Sequence, residues 1–210
     1  KGRGLKPEWE EAMREHNVPQ WAIDSCHKIK YMFPRGHAVA YVTMGLRVAW
    51  YKVYRPSAYY AAYFSIRGDG FDAAKMLLSN QTLRSRIEEF ANREEKMSIK
   101  DKQEENALHM VLEMQERGIR MLPVDLYKSH ANRFLPEEGG LRCPFTAING
   151  LGEAAIQGIL DTRDPEKPYI SIEDLQARAH VGTSVIEMLR LQGALEGLPA
   201  TSQVDLFSLL

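Results

Sequence analysis

Between residues 25 and 68 the chain has no acidic residue, yet seven bases fall there: Lys28, Lys30, Arg35, Arg47, Lys52, Arg55 and Arg67. Ten of the nineteen aromatic residues lie in the same stretch. Pro34, Gly36, Pro56 and Gly68 punctuate it, and such residues end or restart helices. Residues 37–54 are apolar nearly all the way round a helical projection, which predicts a largely buried helix. Residues 56–67 predict a second helix, ended by Gly68. The formal net charge of the whole chain is −1, so this stretch at +7 is set against −8 elsewhere. Cations and flat rings gathered in one place suit a polyanion that carries bases, or a phosphorylated small molecule.

A chain of 210 residues can bury a proper core as one large domain or two small ones. Cys26 and Cys143 have no metal-type spacing, and the six histidines are scattered, which fits a reducing, cytosolic context. No apolar run approaches the ~20 residues of a membrane span. The opening KGRGLKPEWEE reads as the interior of a longer protein. Helices are also predicted from Pro7, from Pro19 to about Lys30, and over 72–79 and 81–97. Another runs from a Ser98 cap to Arg117, with Gly118 as its stop. Composition shifts after Gly118, where a domain boundary is expected. RFLPEEGGLRCPF predicts a β-hairpin closed at Gly139–Gly140. Three short helices follow Ala147, the last starting at Ser184 with Glu187 in a capping box. The expected fold is mainly α with a small β-hairpin. Its parts are a helical region over 1–118, a hairpin-containing domain over 119–198 and a free tail over 199–210.

Three motifs carry chemistry. In YMFPRGHAVAYVTMGLR, residues 31–47, Arg35 and His37 sit at a helix start, where free amides and the helix dipole favour anions. Arg47 lies about three turns on, and Tyr41 follows His37 by one turn, suited to stacking on a base or sugar. A planar guanidinium holds phosphate oxygens in pairs, so the set suits a triphosphate. The same residues also fit a buried helix with a capping His and an outward-reaching Arg. In AINGLGEAAIQGIL, residues 147–160, an apolar residue, two spaced glycines and a helix form a helix-hairpin-helix signature. Gly150 and Gly152 permit a tight turn, and the amides of residues 149–152 (Asn149, Gly150, Leu151 and Gly152) can cradle one phosphate without reading sequence. A plain loop before a helix is the other reading. In the tail, QVDLF places Gln203, Leu206 and Phe207 where two large apolar residues need either a partner's pocket or their own core.

Phosphoryl transfer by two metals needs neighbouring carboxylates. No such set occurs, nor any other catalytic constellation or metal-ligand pattern. Taken together, GLKPEWEEAMREHNVPQWAIDSCHKIKYMFPRGHAVAYVTMGLRVAWYKVYRPSAYYAAYF, PFTAINGLGEAAIQGIL and QVDLF resemble the PolC-type bacterial replicative DNA polymerase III α subunit. They match its fingers region, its helix-hairpin-helix duplex grip and its clamp-binding pentapeptide. The resemblance covers essentially the whole chain and implies the C-terminal part of such an enzyme. By that resemblance Arg35, His37 and Arg47, with Tyr41 and Lys28, face the incoming dNTP. Gly150 and Gly152 grip primer-template DNA, and Gln203, Leu206 and Phe207 anchor a sliding clamp. It also implies that Mg2+ and catalytic aspartates belong to a palm elsewhere in the parent, that this piece holds no cofactor and is inactive alone, and that it works in the bacterial cytoplasm with the remainder of the polymerase. Val204 stands where the family more often has Leu, and Arg35 where it often has Lys. Two other readings remain open on the residues: a stand-alone DNA-binding adaptor that recruits a clamp, and a structural helical interaction domain.

Overall fold

The computed structural model describes residues 4–29, 35–68, 70–93 and 96–202. It divides into two compact units, Lys1–Trp50 and Tyr51–Leu210. In the first, α1 (Pro7–Glu15) carries Pro7 in its first turn, where a missing N–H costs nothing. Asn17 then adopts a left-handed conformation with φ of 54°, and the Val18 amide donates to the Met13 carbonyl at 2.9 Å. The reversal leads into α2 (Gln20–Lys28), which buries Ile23. Glu10 accepts from Arg14 on its own helix, and its Oε2 lies 3.1 Å from His27 Nε2 on α2.

The long helix α3 (Arg35–Tyr54) follows, with Gly36 inside its first turn. Its surroundings overturn the expectation of burial, because no residue of α3 is buried. Val39, Tyr41, Leu46 and Val53 are each more than half exposed. An all-round apolar pattern reports that a helix needs cover. The cover itself must come from a second layer of polypeptide, which periodicity does not identify.

The second unit contains most of the helices and the sheet. Arg55 has broken helical geometry, and Pro56 restarts the chain as α4 (Pro56–Arg67). Helices α5 (Ala73–Met76) and α6 (Asn80–Ala91) are shorter than the sequence suggests. Asp72 caps the first by accepting from the Ala74 amide, and Ser79 caps the second by accepting from the Thr82 amide. Ser98 and Asp101 form a reciprocal capping box at the head of α7 (Ile99–Glu116). Gly118, with φ of 82°, turns the chain out of α7 within this same unit.

The predicted β-hairpin is present as β2 (Leu135–Glu137) and β3 (Gly140–Arg142), with Leu135 opposite Arg142. A further strand, β1 (Arg120–Leu122), lies parallel to β3 on its other side. The segment between β1 and β2 is ordered by buried Ser129, whose hydroxyl donates to the Cys143 carbonyl at 2.7 Å and accepts from the Asp125 amide. The Arg163 guanidinium spans the same turn, donating to the carbonyls of Leu126 and Ser129.

A 3-10 turn (Phe145–Ala147) leads to α8 (Glu153–Thr162), α9 (Ile172–Ala179) and α10 (Thr183–Leu191). One continuous core joins Tyr60 and Phe64 of α4, Leu108 and Met114 of α7, Leu141 of β3, Ile159 of α8 and Leu189 of α10. The expected Ser184–Glu187 capping box does not form. The helix begins earlier, because Gly182 supplies the extended cap residue, and Glu187 pairs with Arg190 instead.

Candidate nucleic-acid interface

The Gly150 loop is built by three local facts. The Leu151 amide donates back to the Ile148 carbonyl at 3.2 Å, which closes a tight turn. That turn needs φ of 87° at Gly150, a conformation costly for any residue with a Cβ. Gly152 is then extended and caps α8 with its carbonyl, accepting from the Ala155 and Ile156 amides. No side chain caps α8, so its first amides point outward at the positive end of the helix dipole. Buried Leu151 and Ile156 anchor the loop from below.

The same device occurs a second time, thirty residues later. His180 takes the left-handed position with φ of 53°, Val181 is buried, and Gly182 is extended. The Gly182 carbonyl accepts from the Val185 and Ile186 amides, and again no side chain caps the helix. Gly150, Leu151, Gly152 and Ile156 therefore correspond to His180, Val181, Gly182 and Ile186. Sequence inspection marks 148–160 and 181–193 as loosely alike, but His in the glycine position hides the second turn. The repeated spacing in LGEAAI and VGTSVI is the signal that identifies it. Between the two hairpins, the Gly158 backbone touches α9 so closely that an added Cβ would lie 2.2 Å from the Ala179 carbonyl oxygen. Arg178 reinforces the pair by donating to the Thr162 carbonyl at 2.6 Å and lying over the Tyr169 ring.

The Asn149 side chain has a role that its position does not suggest. Its side-chain amide donates to Asp72 Oδ2 at 2.8 Å, while Asp72 Oδ1 caps α5. The side chain thus ties the loop to α5. Charge near the hairpins is unfavourable to an anion, since residues 146–200 carry eight acids and four bases. Arg163 and Arg178 are committed to backbone carbonyls and Arg190 to Glu187. Oriented amides, rather than a basic patch, are what this surface offers a phosphate.

On α3 only some of the expected triphosphate set comes together. The His37 and Tyr41 rings lie 4.3 Å apart, centroid to centroid. Arg35 and Arg47 stand about 18 Å apart by helical rise. Lys28 lies at the exposed end of α2. Gln203, Leu206 and Phe207 fall outside the described residues. Among the described residues no cluster of three His, Cys, Asp or Glu side chains could hold a metal. Nor is any helix among them long and apolar enough to cross a membrane.

Two tight turns, each opening a helix that glycine caps without a side chain, over a shared core, define a helix-hairpin-helix protein. The family described as the helix-hairpin-helix motif matches residues 118–203. The chain is 46% identical over 207 residues to the DNA polymerase III PolC-type of Halalkalibacterium halodurans, covering 99% of this chain and 14% of that protein. The Bacillus subtilis protein of the same name is 45% identical over 207 residues. The one from Thermotoga maritima is 43% identical over 210 residues, with 15% of its length covered. The chain belongs to the PolC-type DNA polymerase III family and corresponds to a C-terminal segment of it. It spans about one-seventh of the length of these relatives.

Proposed function

We propose that this chain is the part of a replicative DNA polymerase that holds the product duplex, contacts the incoming nucleotide and tethers the enzyme to a sliding clamp. The observation that carries the reading is the pair of matching hairpins, in a chain homologous to PolC-type polymerases along nearly all its length. Each hairpin offers outward amides at a helix start, a geometry that favours a phosphate oxygen. Two of them on one rigid core would hold neighbouring phosphates of a duplex without reading bases. Because few bases are free there, this grip should release few counterions and show a shallow salt dependence.

In the same reading, Arg35, His37, Tyr41 and Arg47 of α3 contact the nucleotide, with Lys28 of α2 as a further cation. The charges neutralise and orient a triphosphate for in-line attack by the primer end. Arg35 and Arg47, about three helical turns apart, meet different parts of the nucleotide. His37 and Tyr41 address the nucleoside end. The Mg2+ ions of the reaction belong to carboxylates of the parent outside this chain, so this piece binds and positions but does not catalyse. Gln203, Leu206 and Phe207 give a weak clamp contact that becomes effective by raising local concentration. Bacterial cytoplasm is the compartment such a machine works in.

The testing experiment is fluorescence anisotropy of a labelled duplex with the 210-residue chain. We expect duplex binding, reduced about tenfold when both Gly150→Asp and Gly182→Asp place carboxylates against the phosphate. In parallel, a bacterial sliding clamp should bind the intact chain and not a chain cut after Ala200. A chain that binds neither duplex nor clamp sinks the reading. Clamp and duplex binding with no effect of dNTP on an Arg47→Ala-sensitive signal would favour the adaptor alternative.

A further inference from the structure

The groove between α4 and α7 has no role in the hairpin, nucleotide or clamp contacts. Tyr59, Tyr63 and Arg67 follow one another at four-residue spacing on α4, so they form one stripe along that helix. The Tyr59 and Tyr63 rings are stacked, with centroids 6.3 Å apart and planes 23° from parallel. Beside Tyr63 a cavity of about 370 Å³ is lined by Tyr63, Arg67, Gln103, Asn106 and Ala107.

Among the described residues the polar groups of this cavity have no side-chain partner. Neighbouring bases are paired: Lys52 with Glu113 at 2.8 Å, Lys75 with Glu104 at 2.6 Å and Arg117 with Glu113 at 3.1 Å. Arg67 pairs with no carboxylate among the described residues. The Gln103 and Asn106 side-chain amides form no hydrogen bond among them either. Glu113, the acid on this face of α7, is already compensated by two cations. The groove thus combines half-buried aromatic rings, a guanidinium with no carboxylate partner among the described residues, and two amides able to donate and accept.

Those three elements together are what an unpaired nucleotide requires. A ring offers a stacking surface, a guanidinium takes a phosphate, and a carboxamide meets a base edge. The cavity has room for one base with its sugar, and a base inside a duplex cannot enter it. We propose that the α4–α7 groove binds single-stranded DNA, seating one unpaired base against Tyr63 with its phosphate on Arg67. The choice of DNA as ligand rests on the polymerase reading above, since a template strand must be unpaired before it is copied.

The test compares labelled single-stranded DNA of about twelve nucleotides, within the span of one single-strand binding module, with a blunt duplex on the 210-residue chain. Tyr63→Ala should weaken single-strand binding about tenfold, the size of one base–aromatic stack. Tyr63→Phe should stay within about twofold, because the ring is kept. Tyr63 also packs against the core, so exposed Arg67 gives the independent variant: Arg67→Glu should weaken the strand more than tenfold, by turning attraction into repulsion. Duplex binding should stay within about twofold in every variant. Single-strand affinity unmoved by Tyr63→Ala and Arg67→Glu would overturn the assignment. A parallel fall of strand and duplex would overturn it too, as would displacement of the strand by free dNTP. Strand binding without duplex binding would leave this groove standing and remove the hairpin reading; duplex binding without strand binding would do the reverse.

Discussion

The two hairpins share a backbone and differ in what fills it. At the left-handed position the first has Gly150 and the second His180. At the helix start the first has an acid, Glu153, whereas α10 has none in its first turn. One hairpin has the cheaper turn and the worse charge; the other has the costlier turn and the better charge. Turn geometry and electrostatics are therefore separable contributions to the same phosphate-facing device, and neither sequence alone shows both at their best.

Variants of each hairpin can break or sharpen that comparison. The largest expected effect tests whether the two stand on one core. Ile159→Ala and Leu189→Ala remove equivalent side chains, both fully buried. Each should cost about 2–5 kcal/mol in denaturant unfolding. A large loss from one with none from the other would show that the hairpins fold separately. Next come the turns. Gly150→Ala should destabilise by about 1–2 kcal/mol, because a Cβ is forced into the left-handed region. His180→Gly should change stability by less than about 1 kcal/mol, relief of strain being offset by a more flexible unfolded chain. Equal losses from both would refute the equivalence of the two positions.

Charge gives the third contrast. Glu153→Gln should raise duplex affinity about threefold and Thr183→Glu should lower it about threefold, since each changes one charge at an amide-rich helix end. The smallest effect lies in the sheet that leads into the first hairpin. Arg142 donates to both Glu137 oxygens, at 2.9 and 2.7 Å. That bond, opposed by partial burial, holds the Glu137 carboxyl below its ordinary value of 4.5. A carboxyl with a depressed folded pKa stabilises the fold above its unfolded value and loses that contribution as pH falls. Stability should therefore decline below about pH 4.5, and Glu137→Gln should flatten that decline by less than about 1 kcal/mol, read from thermal melts across pH 3–6.

The first hairpin was legible because its turn is written in glycine. Gly150 and Gly152 announce a tight reversal, and Ile148, Leu151, Ile156 and Ile159 announce what anchors it. The second was hidden because His180 adopts the same backbone through context. The Ser98 cap was legible, although its reciprocal partner Asp101 was not, and Ser184 was not the helix start because a glycine two residues earlier supplies the cap. Strand β1 has only three residues, too few for alternation to register. The sequence placed the Asn149 backbone amide in a phosphate cradle, but it gave no sign that the Asn149 side chain donates to Asp72, seventy-seven residues away.

By itself the sequence determined the helical class, the hairpin at Gly139–Gly140, the acid-free aromatic stretch and the first glycine turn. These depend on local backbone preference and on the spacing of apolar residues, which act within a few neighbours along the chain. Tertiary structure alone decided that α3 is exposed, that His180 mirrors Gly150, and that Tyr63, Arg67, Gln103 and Asn106 line one groove. Each of these depends on which distant residues come within a few ångströms, and on whether a charge or amide meets a partner there. Periodicity says that a side chain needs a neighbour; only the fold says which one it finds.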